Sequence, residues 1–104
     1  IAYEGPFQVS DRTVFVKPTI LSDGSIIYVT GDEDGYSGVY KSTDDGYSYK
    51  KISTIKSAYV KPDKTYTEAS VVEKKDGSLW MLSRLEKGYD GGIEQAFSTD
   101  GGMT

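Results

Sequence analysis

The chain has 104 residues, with twelve basic and sixteen acidic side chains, a formal net charge of -4, and neither cysteine nor histidine. This composition excludes thiol nucleophiles, disulfides, histidine-dependent triads and the common zinc sites, so any chemistry must come from carboxylates, Tyr, Lys, Arg or hydroxyl groups. No basic cluster is interleaved with aromatics, and no apolar run approaches the roughly 20 residues that cross a bilayer, so neither nucleic acid nor a membrane is an expected partner.

Nine tyrosines and twelve glycines, with many Val, Ile, Thr and Ser, favour short strands joined by glycine turns. In chain order, the pattern predicts strands at residues 14–16, 18–21, 26–30, 38–41, 49–54, 68–73, 79–84 and 93–98, and a last one beyond Met103. Asp-Gly between two strand-like runs, as in SDGS and KKDGS, is a strong hairpin signal. No helical period is found, so the predicted fold class is all-β.

The two halves of the chain resemble each other. PTILSDGSIIYVTG matches ASVVEKKDGSLWMLSR, and YKSTDDGYS matches AFSTDGGMT, at a spacing of about 53 to 56 positions. Each unit reads as strand, Asp-Gly hairpin, strand, Gly-rich loop, strand, Ser-Thr-Asp-x-Gly turn, strand. Four antiparallel strands in a repeat of about 50 residues are typical of a β-propeller blade. The sequence therefore predicts two blades, approximately residues 13–56 and 66–104, of which the second is incomplete.

Two blades do not close a ring, because propellers need roughly four to eight blades to protect their edges. We therefore expect residues 1–104 to be part of one larger propeller domain, with the remaining blades of the parent chain as structural partners. The alternative from the same pattern is a small two-sheet β domain built from a duplicated hairpin pair.

The repeated turn resembles the Asp-box, also called the bacterial neuraminidase repeat, with the pattern Ser-x-Asp-x-Gly-x-Thr-Trp. The matching residues are Ser42, Asp44, Gly46, Ser48 and Tyr49 in the first copy, and Ser98, Asp100, Gly102 and Thr104 in the second. The Asp carboxylate can accept N–H bonds within its own turn, and Gly supplies a positive φ. These residue types predict a structural turn in preference to a ligand site.

Glu68 and Arg84 stand eight residues either side of Asp76, the centre of the second hairpin turn. In an antiparallel hairpin such symmetric positions are cross-strand neighbours, with Cβ atoms around 5 Å apart. We therefore expect this Glu and this Arg to face each other at the open end of the hairpin. The structural alternative to a functional site is an ordinary exposed ion pair, worth about 0 to 1 kcal/mol.

The run Glu-x-Ser-Val-Val-Glu, then Asp-Gly-Ser-Leu, then an Arg, then Ser-x-Asp-x-Gly, resembles the sialidase superfamily of six-bladed propellers. The resemblance implies that Glu68 is the catalytic partner of a nucleophilic tyrosine and that Arg84 is one of three arginines that clamp the substrate carboxylate. It implies an exo-glycosidase that removes a terminal anionic sugar, sialic acid, from glycoconjugates. We expect no cofactor and no metal site, and an extracellular or periplasmic location. The nucleophilic Tyr, the general-acid Asp and the other two arginines cannot be assigned in this sequence.

Two tyrosines, Tyr36 and Tyr89, are predicted to stack on a sugar ring, because they lie in loops that join strands and binding residues concentrate on such loops. Trp80 alternates with Leu79 and Met81 and is expected in the core between blades. Two alternatives remain for the function. One is a non-catalytic carbohydrate-binding or interaction propeller, and the other is a propeller glycoside hydrolase for another sugar, since the same Glu and Arg could serve a uronic acid.

Overall fold

The computed structural model describes residues 17–31, 36–56, 68–84 and 92–104. In these ranges the chain is all-β, as predicted, and forms two antiparallel sheets of four and three strands. The first sheet contains β1 (Thr19–Ile20), β2 (Ile26–Gly31), β3 (Tyr36–Ser42) and β4 (Lys50–Lys56). The second contains β5 (Ala69–Glu73), β6 (Leu79–Arg84) and β7 (Ile93–Ser98). Across the same ranges, no helix has the length and apolar character needed to cross a membrane.

Strand order follows chain order in both sheets, so each sheet is a meander of adjacent antiparallel strands. The predicted strands coincide with the observed ones apart from their ends, and the prediction at 14–16 lies outside the described residues. The strand predicted beyond Met103 stays a prediction, because the described residues end at Thr104. Thr104 still belongs to the preceding turn, because its N–H and Oγ1 both donate to the carboxylate of Asp100, at 2.9 and 2.5 Å.

The two Asp-Gly hairpins share one backbone geometry. In the first, Leu21 N–H donates to Ser25 O at 2.8 Å and Gly24 has a φ of +86°. The second hairpin has the same backbone hydrogen bond between the equivalent residues, and its Gly77 has a φ of +84°. A three-residue loop that ends on a left-handed residue favours glycine there, because a residue with a Cβ is strained at a positive φ. The carboxylate of Asp23 braces the loop by accepting from Ser25 N–H at 2.9 Å.

One hydrophobic core joins the two sheets. Its buried members are Ile27, Val29 and Val39 of the first sheet, Leu21 beside its hairpin turn, and Ala69, Val71, Leu79 and Met81 of the second sheet. Partly buried Ile52, Ile55 and Ala96 pack against them. Successive residues of a strand point to opposite faces, so this core uses one face of β2 and one face of β6. The other face of each sheet points away from it.

Polar contacts also link the sheets. Thr19 Oγ1 donates to Val71 O at 2.6 Å, and an isolated antiparallel bridge joins Thr30 to Glu68. Ser53 Oγ donates to Gly102 O at 2.5 Å. These contacts involve both ends and the middle of the sheets, so Glu68 is fixed to the first sheet as well as to its own.

Candidate functional site

The strand register places the Asp-box turns at one end of the sheets and the pair of Glu68 and Arg84 at the other end. In the second sheet, β6 pairs with β7 from Leu79 opposite Ser98 to Arg84 opposite Ile93. Ser98 begins the second Asp-box turn, whereas Arg84 lies at the other end of the same strand pair. Five residue steps along a strand correspond to roughly 17 Å. The Asp-box turns are therefore remote from Arg84, and a common site for both is excluded.

Glu68 and Arg84 are cross-strand neighbours, as the sequence predicts. Arg84 N–H donates to Glu68 O at 2.8 Å, and Arg84 Nη1 donates to Glu68 Oε2 at 2.9 Å. The side chains of Arg84 and Glu68 are 60% and 39% exposed, respectively. The pair is thus an accessible ion pair that a dissolved ligand can reach. Its catalytic role remains a prediction.

The guanidinium of Arg84 is chemically suited to bind a carboxylate. It is planar and carries five N–H donors in a fixed fork, so the bond from Nη1 to Glu68 uses one of five. The carboxylate of Glu68, in turn, holds the guanidinium in one orientation. Such an arrangement can position a cationic fork without burying it.

Tyr36 lies at the same end of the sheets as Glu68, but in a strand. It was predicted in a loop, and that placement is wrong, because Tyr36 is the first residue of β3 and pairs with Lys56 of β4. The Lys56 ammonium stands 5.9 Å from the centre of the Tyr36 ring, which is 37% exposed. This ring remains a candidate for stacking on a sugar. The second tyrosine of this prediction, Tyr89, lies outside the described residues.

Lys56 is the residue at this end that sequence reasoning missed. Counting back from the first Asp-box turn, where Lys41 pairs with Lys50, would place Ile55 opposite Tyr36. A register shift between Val39 and Tyr40 moves the pairing by one residue and brings Lys56 there instead. A β-bulge of this kind carries no distinctive residue in this stretch, so no signal in the sequence could have shown it.

The first Asp-box turn is closed by its own side chains. Ser42 Oγ accepts from Gly46 N–H at 2.9 Å and donates to Asp44 Oδ1 at 2.8 Å. Ser48 donates to the same carboxylate through its Oγ, at 2.5 Å, and its N–H, at 2.9 Å. Hydrogen bonds from the Ser48 side chain and backbone, and then from Ser42, lower the pKa of Asp44 to about 2. Tyr49 follows the turn, and burial, with the Asp44 charge, raises the pKa of its phenol.

The second Asp-box turn repeats these bonds. Ser98 Oγ accepts from Gly102 N–H at 3.0 Å and donates to Asp100 Oδ1 at 2.8 Å. Hydrogen bonds from Thr104 and Ser98 lower the pKa of Asp100 to about 2. Internal hydrogen bonds alone thus explain the pattern of residue types that the two turns share. No ligand is needed to explain them.

The second Asp-box turn also contacts the first sheet. Gly102 is buried with a φ of +92°, and a Cβ placed there would lie 3.0 Å from Ile27 Cδ1 and 3.4 Å from Ile52 Cδ1. Only glycine fits this close approach without displacing a neighbour. The turn therefore seals one end of the core that the two sheets share.

Trp80 lies on the face of the second sheet opposite Leu79 and Met81. Those two residues are buried in the shared core, whereas Trp80 is half-buried and its Nε1 donates to Gln95 Oε1 at 3.1 Å. Its ring is nearly parallel to that of Phe97, with ring centres 6.3 Å apart. In the described structure Trp80 is thus outside the core that the two sheets form.

A cleft of about 320 Å³ opens between the sheets. Its walls are largely apolar and include Ile55 of β4, Met81 of β6 and Ala96 of β7. The space arises where β4 and β7 diverge, and no sequence motif marks it.

Among the described residues, no group of three or more acidic side chains is arranged to hold a metal ion. No protein-family model, curated protein or solved structure matches this chain.

Proposed function

We propose that the chain is part of a sialidase-like exo-glycosidase of β-propeller architecture, which hydrolyses a terminal anionic sugar, sialic acid, from glycoconjugates. The observation that carries the proposal is the accessible pair of Glu68 and Arg84, joined at 2.9 Å, at the end of the sheets opposite both Asp-box turns. In this arrangement the Asp-box turns stabilise the fold, and the end of the sheets that carries Glu68 and Arg84 binds the substrate.

Repetition at the level of atoms supports the propeller architecture. Both hairpins and both Asp-box turns recur with the same hydrogen bonds, so each sheet is one copy of a single structural unit. Units that cannot bury their faces alone stack on their neighbours, and radial stacking of four-stranded units gives a propeller. The three strands of the second sheet correspond to the first three strands of the first sheet.

Arg84 would clamp the carboxylate of the sugar. A guanidinium binds a carboxylate through two parallel N–H donors, which fixes the orientation of the sugar as well as neutralising its charge. The bond to Glu68 keeps the fork in place before substrate arrives, which reduces the conformational entropy lost on binding.

Glu68 would accept the proton of a tyrosine supplied by another blade. The tyrosine is neutral until it attacks, so its oxygen approaches the anionic sugar with less charge repulsion than a carboxylate nucleophile would meet. As its proton passes to Glu68, the bond between the sugar and its leaving alcohol breaks, and a general acid on another blade would protonate that alcohol. Sialidases are an exception among glycosidases in using Tyr. The same pair, Glu68 and Arg84, also fits a uronic acid, so the identity of the anionic sugar is part of what the experiment must test.

The second candidate function is a non-catalytic carbohydrate-binding or interaction propeller. The observation that favours it is the exposure of the pair, because an ion pair with side chains 60% and 39% exposed is also an ordinary feature of a protein surface. In that case Arg84 would contribute little beyond its contact with Glu68.

The test is hydrolysis of a fluorogenic sialoside by the full-length gene product and by its Arg84→Ala and Glu68→Gln variants. Loss of a bidentate charged contact should lower kcat/KM by about 100-fold or more in Arg84→Ala. Loss of a general base should lower kcat by about 100- to 10,000-fold in Glu68→Gln. The matched control is Lys75→Ala, which removes an exposed cation from the hairpin turn at the opposite end of the sheet.

Unchanged turnover in Arg84→Ala would exclude the clamp role. A wild-type protein that binds sialosides without hydrolysing them would favour the non-catalytic alternative, and turnover of a uronide but not a sialoside would redirect the assignment to another sugar.

A further inference from the structure

Lys56 and Tyr36 form an exposed pair of a cation and an aromatic ring. The Lys56 ammonium stands 5.9 Å from the centre of the Tyr36 ring, which is 37% exposed, and Lys56 is exposed as well. Among the described residues, no carboxylate pairs with this ammonium. In a chain with a formal net charge of -4, a lysine whose charge is not neutralised is a local site of attraction for an anion.

The strand register brings this pair together. Lys56 faces Tyr36 because the register shifts between Val39 and Tyr40, and without this shift Ile55 would take its place. Bulges that re-aim a side chain are over-represented next to functional sites. The irregularity thus replaces an apolar neighbour of the ring with a cation.

A series of strand pairings connects the pair to Glu68. Glu68 is bridged to Thr30, Thr30 pairs with Gly38, and Tyr36 lies two residues before Gly38 in β3. Residues paired directly across strands, and residues two apart in one strand, point to the same side. Tyr36 therefore projects from the same side of these strands as Glu68, at the same end of the sheets.

The two sites are too far apart for a single sugar. Two strand spacings of about 4.8 Å and two residue steps of about 3.4 Å put the Tyr36 backbone roughly 12 Å from that of Glu68. A pyranose ring is smaller than this gap. A ligand that contacts both sites must therefore carry a further sugar beside the terminal one.

The chemistry of the pair suits an anionic sugar at this second position. The exposed part of an aromatic ring can pack on the apolar face of a pyranose. The lysine ammonium carries three N–H donors on a flexible stem, so it can follow a carboxylate as a point charge. A neutral sugar would use the ring alone, and the cation therefore favours a sugar that carries a carboxylate.

We propose that Tyr36 and Lys56 form a second subsite, which binds an anionic sugar inside an oligosaccharide whose terminal anionic sugar binds Arg84. The substrate class is then an oligosaccharide with at least two anionic sugars. The proposal rests on the proposed function for the position of the terminal sugar. Binding at the second subsite does not require that the terminal sugar be hydrolysed.

Equilibrium binding to the full-length gene product tests the proposal with two probes that resist hydrolysis. Both are sulfur-linked analogues, one of a linear trimer of sialic acid and one of sialyllactose. Every sugar of the trimer carries a carboxylate, whereas sialyllactose carries one only on its terminal sugar. The wild type should bind the trimer about fivefold more tightly at low ionic strength. The preference should shrink as added salt screens the ammonium.

Variants assign the preference to the pair. Lys56→Ala should lower the affinity for the trimer about fivefold more than the affinity for sialyllactose, and Lys56→Arg should restore most of the difference. Tyr36→Leu, which removes the ring, should weaken binding of the trimer by a similar factor. Lys74→Ala is the matched control and should keep the preference. Lys74 is exposed and stands 6.0 Å from the ring centre of Phe97, but it lies beside the hairpin turn at the opposite end of the sheet.

Equal affinity of the wild type for the two analogues would overturn the proposal. A loss of preference in Lys74→Ala as large as in Lys56→Ala would also overturn it, and so would an equal loss of affinity for both analogues in Lys56→Ala, since the lysine would then act through the fold. Sialoside turnover is measured on the same samples. A preference that depends on Lys56, without turnover, supports the subsite and counts against the catalytic role, whereas turnover without such a preference does the reverse.

Discussion

At the scale of single residues, the clearest chemistry belongs to Asp44 and Asp100. Each carboxylate accepts hydrogen bonds from a serine two residues before it and from a hydroxyl residue four residues after it. These bonds stabilise the ionised form, which is why each pKa falls to about 2 from its ordinary 3.8. The residue pattern Ser-x-Asp-x-Gly predicted this self-contained turn from the bonding capacity of short polar side chains.

Stability should therefore depend on pH in the acid range. Because the folded carboxylates bind protons less readily than the unfolded ones, their contribution is present above pH about 4 and is lost as pH falls through about 2. The free energy of unfolding, measured by urea titration between pH 5 and pH 2 in the double variant Asp44→Asn, Asp100→Asn, should show a shallower decline than in the wild type. Asp45→Asn controls for removal of a charge, since it leaves the bonds from Ser48 intact. Parallel declines in all three proteins would refute the expectation.

At the scale of elements, the sequence pattern predicts correctly the strand pairings that a tight hairpin turn determines by itself. Glu68 and Arg84 were predicted as neighbours because a tight hairpin fixes register from its turn outward, and no irregularity intervenes between Asp76 and either residue. The same counting fails in β3, where the bulge after Val39 shifts the register and brings Lys56 to Tyr36. Whether a bulge forms depends on the twist of the strands and on the packing between sheets. The sequence of a single strand specifies neither of these.

The face that each strand buries was only half predictable. Alternation separates Trp80 from Leu79 and Met81, but it does not tell which of the two faces meets the first sheet. That choice depends on the packing of one unit on the next, since each unit has two apolar faces. The exposure of Trp80 in the described chain follows from this order of stacking.

Gly102 in the second Asp-box turn offers a prediction at this scale. Gly102→Ala should destabilise the protein by about 2 to 4 kcal/mol, because it adds a clash 3.0 Å from Ile27 Cδ1 to the strain of a left-handed alanine. Gly24→Ala is a matched control, with a similar φ of +86° and no atom within 4 Å of the added Cβ. It should cost only about 1 kcal/mol. Urea unfolding measures both, and equal losses would mean that the turn does not seal the core.

At the scale of the whole molecule, the two sheets depend on each other. Neither sheet has a core of its own in the described chain, because the buried apolar residues of each lie mainly in the cluster that joins them. The backbone bridge between Thr30 and Glu68 and the bond from Ser53 to Gly102 fix the sheets at opposite ends. The packing of the second sheet on the first therefore helps to position Glu68, which the first sheet holds in part through its bridge to Thr30.

This dependence predicts one cooperative unfolding transition for both sheets. Ile27 of the first sheet is 1% exposed, and Ile27→Ala should lower the free energy of unfolding by about 2 to 5 kcal/mol by opening a cavity in the shared core. Trp80 lies in the second sheet and is the single tryptophan of the 104 residues, so its fluorescence reports that sheet, while far-ultraviolet circular dichroism reports all strands. Both signals should shift together to lower urea concentration. Ile20→Ala, at a residue of the first sheet that is 73% exposed, should leave both transitions within about 0.5 kcal/mol of the wild type. A fluorescence transition that stays in place while the dichroism shifts would show that the sheets unfold independently, and the shared core would then not be what holds Glu68 and Arg84 in position.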